Sequence, residues 1–139
     1  MKSESATYTG FEFEVDGHPA LAIINMDLKN ADRQFYRYSV FVTVVPEQFN
    51  ENGHPEGEEY DYLNEMEKSM INYLEEQTQT VHVGHTTLYR AREIIFYTKD
   101  REEVAGFLEH FLPATEREHD FEVEDDPEWK NVSAFYELI

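Results

Sequence analysis

Residues 80–99, TVHVGHTTLYRAREIIFYTK, decide how the rest of the chain is read. The alternation of β-branched and aromatic residues predicts two strands, reversing near Tyr89-Arg90-Ala91. The same stretch holds His82, His85, Arg90, Arg92, Glu93 and Tyr97. A helical pattern lies on each side of it, so the strand pair is the middle of a larger α+β unit.

Before the pair, residues 58–77 repeat apolar side chains at helical spacing: Leu63, Met66, Met70, Tyr73 and Leu74. Glu58, Glu59 and Asp61 sit at the start, where the positive end of the helix dipole favours them. After the pair, Asp100 and Glu103 form a capping-box pattern. Val104, Phe107, Leu108 and Phe111 then line one helical face, which Pro113 closes. Phe35–Val45 predicts a central strand, because both of its faces are apolar. Arg117–Val123 predicts the last strand. Pro46–Gly57 reads as a loop, with Asn52-Gly53 and His54-Pro55 as turn signals.

Two elements lie outside this set. Phe11, Phe13 and Val15 alternate with acids up to Asp16-Gly17, the pair favoured in a two-residue type I′ turn. That turn sets Val15 opposite His18, Phe13 opposite Ala20 and Phe11 opposite Ala22, with Ile24 and Met26 continuing the apolar face. At the other end, Asp126-Pro127 predicts the start of a short helix, with Trp129, Val132 and Tyr136 on one side. Residues 1–6 are expected to be disordered and residues 29–34 to be a polar loop. The whole, residues 1–139, predicts one α+β domain: a ferredoxin-like βαββαβ sandwich with an extra N-terminal β-hairpin and a short C-terminal helix.

Composition narrows function mainly by exclusion. The net charge is −19 and there is no cysteine, so disulfides, thiolate catalysis and Cys-based zinc sites are excluded. Ten acids against Lys68 alone give residues 47–76 a net −9, and eight against Arg117 give residues 116–128 a net −7. Nucleic acid is not an expected partner, since its binding rests on Lys and Arg neutralising phosphates. A basic protein surface is electrostatically easier. No apolar run is long enough for a membrane span, and the expected location is the cytoplasm.

The chemical motifs are sparse. His82 and His85 are three apart, which puts them on opposite faces of a regular strand; one metal could be gripped by both only across a bulge. No metal site is therefore expected, no cofactor motif is present, and no Ser-His-Asp signature appears. Trp129 reads as the anchor of the last helix or as an interface hot spot. Asp61, Glu65 and Glu67 read as an acidic ridge outside the helix's buried stripe, where a basic partner would dock.

Three segments also carry a family resemblance: EEYDYLNEMEKSM, VGHTTLYRAREIIFYT and DPEWKNVSAFYELI. Their acidic helix start, Gly84-His85-Thr86-Thr87 running into Arg92-Glu93 and Phe96-Tyr97, and closing Asp126, Trp129 and Tyr136 resemble the family called domain of unknown function 695. Such sequences usually carry glycine in the turn before Arg-Glu; Leu88-Tyr89-Arg90-Ala91 has none. The family resembles in fold the ribonuclease E activity regulator B family, acidic proteins that bind and dampen that enzyme. The resemblance implies a protein-binding role.

The reading is a non-enzymatic acidic interaction or regulatory module, monomeric or dimerising through a sheet edge. The alternative is a small-molecule-binding domain or small enzyme with a pocket at residues 80–98, lined by His85, Arg92, Glu93 and Tyr97. Arg90 is a further candidate there.

Overall fold

The hairpin turn takes the backbone its sequence asks for. Asp16 and Gly17 both have positive φ, 51° and 81°, as a type I′ turn requires. Strands β1 (Tyr8–Val15) and β2 (His18–Asn25) pair in the expected register, Phe13 opposite Ala20 and Phe11 opposite Ala22. Met26 does not extend β2; it opens a 3-10 turn, Met26–Asn30, capped by the Asn25 side chain. The computed structural model describes residues 2–139, so Met1 of the expected disordered start lies outside them. Within that start, Ser3–Ser5 forms a 3-10 turn, and Ser3 donates from its backbone and hydroxyl to Glu75.

The remaining strands are β3 (Tyr38–Val44), β4 (Thr80–Leu88), β5 (Ala91–Thr98) and β6 (His119–Asp125). They complete a six-stranded sheet in the order β1-β2-β4-β5-β3-β6, antiparallel throughout. The hairpin thus joins at the β4 edge. Helix α1 (Glu58–Gln77) and helix α2 (Arg101–Ala114) cover one face. There Leu63, Met66, Met70, Leu74, Val104, Leu108 and Leu112 pack on Val40, Val42, Val44, Ile94 and Phe96. The opposite face carries a second core. Ile24, Val81, Val83, Ile95 and Tyr97 pack there beneath Leu28, Trp129, Val132 and Tyr136.

Several local expectations need correction. Tyr73 is not in the buried stripe of α1; it is exposed and stacks on Phe107 of α2, ring centres 4.2 Å apart. Asp100 does not cap α2 through its side chain. Its carboxylate accepts instead from the backbone N–H of Gln79, joining the two ends of the central pair. The C-terminal helix starts later than Asp126-Pro127: a 3-10 turn, Lys130–Val132, precedes α3 (Ser133–Glu137). Trp129 lies before both, in a left-handed conformation with φ 57°.

The β4–β5 reversal has no glycine because a neighbouring loop supplies what glycine would. Arg90 occupies the left-handed position, φ 60°. Its N–H donates to Gly53 O at 2.8 Å, and its guanidinium lies over the Phe49 ring. The loop can come that close only with glycine at 53, where a Cβ would stand 2.6 Å from Arg90 N.

Candidate functional site: a buried glutamate between two histidines and an arginine

Helix α1 turns one acid inward. Glu67 lies four residues after Leu63 and three before Met70, so it shares their stripe, and it is buried. This corrects its place in the exposed ridge: helical phase outweighs its charge because three basic side chains of the sheet meet it. His82 Nε2 lies 2.9 Å from Oε2, His85 Nδ1 2.8 Å from Oε1 and Arg92 Nη1 3.2 Å from Oε1.

The histidines share a face because β4 is bulged. His82 pairs with Phe96 and Gly84 with Ile95, which leaves Val83 as the additional residue. Val83 points into the opposite core, and His85 returns to the helix face beside His82. The expectation of opposite faces holds for a regular strand and fails here. Gly84 permits the bulge. Its φ is 149°, and a Cβ there would lie 1.9 Å from Ile23 O, inside the β2–β4 ladder.

An ionised carboxylate only accepts, so His82 Nε2 and His85 Nδ1 both carry protons. His82 Nδ1 lies 2.7 Å from the Tyr8 hydroxyl, which donates to it when the imidazole is neutral. Burial raises the Tyr8 pKa, so that hydroxyl keeps its proton. At Glu67, burial pushes the carboxyl upward, but hydrogen bonds from His82 and His85 outweigh it and hold the group well below the ordinary glutamate range.

Arg92 is the least accessible charge in the cluster, 0 % exposed. Its Nη1 donates to Asn64 Oδ1 at 2.8 Å as well as to Glu67. Its Nε and Nη2 have no partner among the described residues. The guanidinium also lies under the Tyr60 ring, 5.8 Å from its centre. His85 is 17 % exposed and makes no hydrogen bond through Nε2 among the described residues. The chemistry available is therefore an imidazole oriented by a carboxylate, with one nitrogen free for proton exchange, beside a buried cation.

The other expected site residues are divided between the two faces. Arg92 faces the helices, whereas Glu93 and Tyr97 face the second core, because neighbours on a strand alternate. Tyr97 stacks on Trp129 at 4.1 Å and donates its hydroxyl to Asp126 Oδ2 at 2.6 Å; burial and that bond raise its pKa. Glu93 is half-buried, and burial, then the charge of Glu122, raises its pKa. His85, Arg92, Glu93 and Tyr97 therefore cannot line one pocket. The 580 Å³ cleft between the first hairpin and the 46–57 loop is lined by Glu12, Glu14, Leu21, His54 and neighbours, and contains none of the four. Trp129 is fully buried, its indole N–H donating to Tyr36 O at 2.9 Å, so it anchors the C-terminal segment. Asp61 and Glu65 are exposed on α1, and Arg90 is exposed at the turn.

Sequence reasoning missed Asn64 and Tyr8 and set His82 aside. The available signal was an acid on the apolar stripe of α1, which predicts a basic partner from the sheet. Among the described residues, no helix is long and apolar enough to cross a membrane. No curated protein and no solved structure matches the chain. One family model does, over residues 8–136, a span that runs from Tyr8 through the glutamate cluster to Tyr136. The chain therefore belongs to the family of unknown function DUF695.

Proposed function

We propose that this protein is a non-enzymatic binding module that receives a basic protein surface on its acidic faces. The carrying observation is the way charge is distributed. Four of the eleven Lys and Arg side chains form salt bridges within the chain: Arg37 with Asp125, Arg92 with Glu67, Arg117 with Glu59 and Glu47, Lys130 with Glu128. Glu58, Asp61 and Glu65 on α1 are exposed, and so are Asp120, Glu122 and Glu124 on the edge strand β6. Among the described residues none of these six forms a salt bridge. Such a surface attracts a cationic partner and repels nucleic acid. It also opposes self-pairing of the sheet edges, since acids on β6 would face acids. This favours a monomer.

We read the segment from β3 to β6 as the ferredoxin-like part of the fold. The order β4-β5-β3-β6, with α1 and α2 on one face, supports that reading. The resemblance to acidic regulators of ribonuclease E supports a regulatory role by analogy. The test is a titration of the full chain with a lysine- and arginine-rich peptide and with its acidic counterpart, alongside capture from native lysate. Binding confined to basic partners, weakening as salt shortens the Debye length to about 8–10 Å, is expected. No partner at low or physiological salt overturns the proposal.

A second reading, a small-ligand-binding domain, is favoured by one observation: Arg92 keeps a buried hydrogen-bonding edge without a partner.

A further inference from the structure

We propose that the Nε/Nη2 edge of Arg92 is the seat of a small carboxylate ligand, held bidentately beneath Tyr60. The inference rests on the small-ligand reading and gives that site its ligand class.

The chain supplies its own comparison. Arg37 meets Asp125 through Nε at 2.8 Å and Nη2 at 2.9 Å. Arg117 meets Glu59 through Nε at 2.9 Å and Nη2 at 2.8 Å. Both use the same side of the guanidinium, whose two parallel N–H groups match the two oxygens of a carboxylate. Arg92 is more deeply buried than either, yet that side has no partner. It is also held in place: Nη1 is fixed by Asn64 and Glu67, so the open edge is preset rather than free to turn.

Glu67 cannot serve that edge. Its two oxygens already accept from His82, His85 and Arg92 Nη1. A buried guanidinium with two idle donors is costly, and an outside acceptor removes that cost. A planar two-oxygen acceptor does so with one group. The protein's net charge of −19 acts against an arriving anion mainly at long range, where salt screens it; at contact, the two open N–H donors of Arg92 attract it against the Glu67 carboxylate already held on Nη1. The way in is through Tyr60, whose ring lies over Arg92 and which is itself 48 % exposed in the first turn of α1.

The test is side-chain ¹⁵N NMR of the full wild-type chain, following the Arg92 Nε–H signal during titration with formate, acetate and inorganic phosphate. Saturable displacement of that signal by formate and acetate is expected, with Arg37 and Arg117 unmoved because their edges are filled. Arg92→Lys, which keeps the charge and loses the fork, abolishes saturation. The wild-type titration stands even if that variant fails to fold. Displacement by phosphate but by neither carboxylate overturns the ligand class. Displacement around His85 with Arg92 silent overturns the seat while sparing the small-ligand reading. No saturable response anywhere, with a bound-water contact to Arg92 Nε–H, overturns both.

Discussion

Two of the three buried carboxylates, Asp126 and Glu67, lie on opposite faces of one sheet, and they are satisfied in different ways. Asp126 accepts from the Tyr97 hydroxyl at 2.6 Å and from the backbone N–H groups of Lys130 and Asn131, each at 2.9 Å. These donors do not titrate near neutral pH, and all belong to the chain segments that Asp126 joins. Glu67 accepts from two imidazoles and a guanidinium carried by two strands. The first arrangement closes a turn. The second gathers titratable groups and leaves an arginine edge and an imidazole nitrogen over. Burial of a charge marks both places; the kind of donor separates the structural one from the candidate site.

The largest effect expected from breaking this contrast is at Glu67. Glu67→Leu leaves Arg92 buried without its carboxylate, and loss of one partner of a buried pair costs about 3–5 kcal/mol. Urea unfolding of the variant checks it, and a loss below about 1 kcal/mol would mean that the cluster is not coupled to folding. The same carboxyl sets a pH dependence. Its folded pKa is depressed, so its contribution is complete above the ordinary glutamate value of about 4.3 and declines as pH falls below it. The stability gap between wild type and Glu67→Gln should therefore be widest at neutral pH, begin to narrow below pH about 4.3, and close only as pH falls through the depressed folded value.

Next is the bulge that brings the histidines together. Gly84→Ala puts a Cβ into the Ile23 carbonyl and strains the backbone, at a cost of about 1–3 kcal/mol. Beyond stability, it should weaken the hydrogen bond from His85 Nδ1 to Glu67, read in the ring ¹⁵N signals, because the register that brings both histidines to Glu67 is disturbed. Ring ¹⁵N signals of both histidines unchanged from the wild type would show that the bulge is incidental.

These two residues also show where sequence reading stops. Helix α1 is legible from Glu58 to Gln77 because its stripe and acidic start are local properties. The first hairpin is legible in register because Asp16-Gly17 admits one turn geometry and the alternation agrees. The bulge is not legible, since it depends on Gly84 meeting Ile23 about 60 residues away in sequence, where glycine's freedom gives no address. Glu67 was legible in phase but was read by its charge. Its burial follows from basic side chains of the sheet, and His85 joins His82 on the helix face only through the same bulge. The left-handed Arg90 likewise depends on the Gly53 loop, a contact across the fold.

On the other face, Asp126→Asn keeps one oxygen and loses the charge that serves three donors. A cap of this kind is worth about 1 kcal/mol, so the expected loss is about that size, without any change in the His82 and His85 NMR signals. A shift of the His82 or His85 signals in this variant would show that the two faces communicate, and the contrast between them would fail.

The smallest effect on stability separates Glu67 from the acids beside it. Asp61 and Glu65 are one helical turn apart on the exposed face of α1, where like charges at this spacing repel by a few tenths of a kcal/mol, about 0.2–0.5. Reversing both to Lys exchanges one like-charge pair for another of the same spacing and places no charge in the interior. Exposed substitutions of this kind usually stay within about 0.5 kcal/mol. Asp61→Lys/Glu65→Lys should therefore melt with the wild type, whereas Glu67→Lys, two residues further on, should not fold stably, because it sets a lysine against Arg92 and two imidazoles. The surface pair should show its effect in kinetics instead: exposed charges chiefly govern how fast a charged partner arrives, so the variant should associate more slowly with a lysine-rich peptide and lose most of the salt dependence of that rate. Unchanged association would reduce the α1 acids to a solvated face and move the docking surface to the β6 edge, where Asp120, Glu122 and Glu124 form the other exposed acidic row.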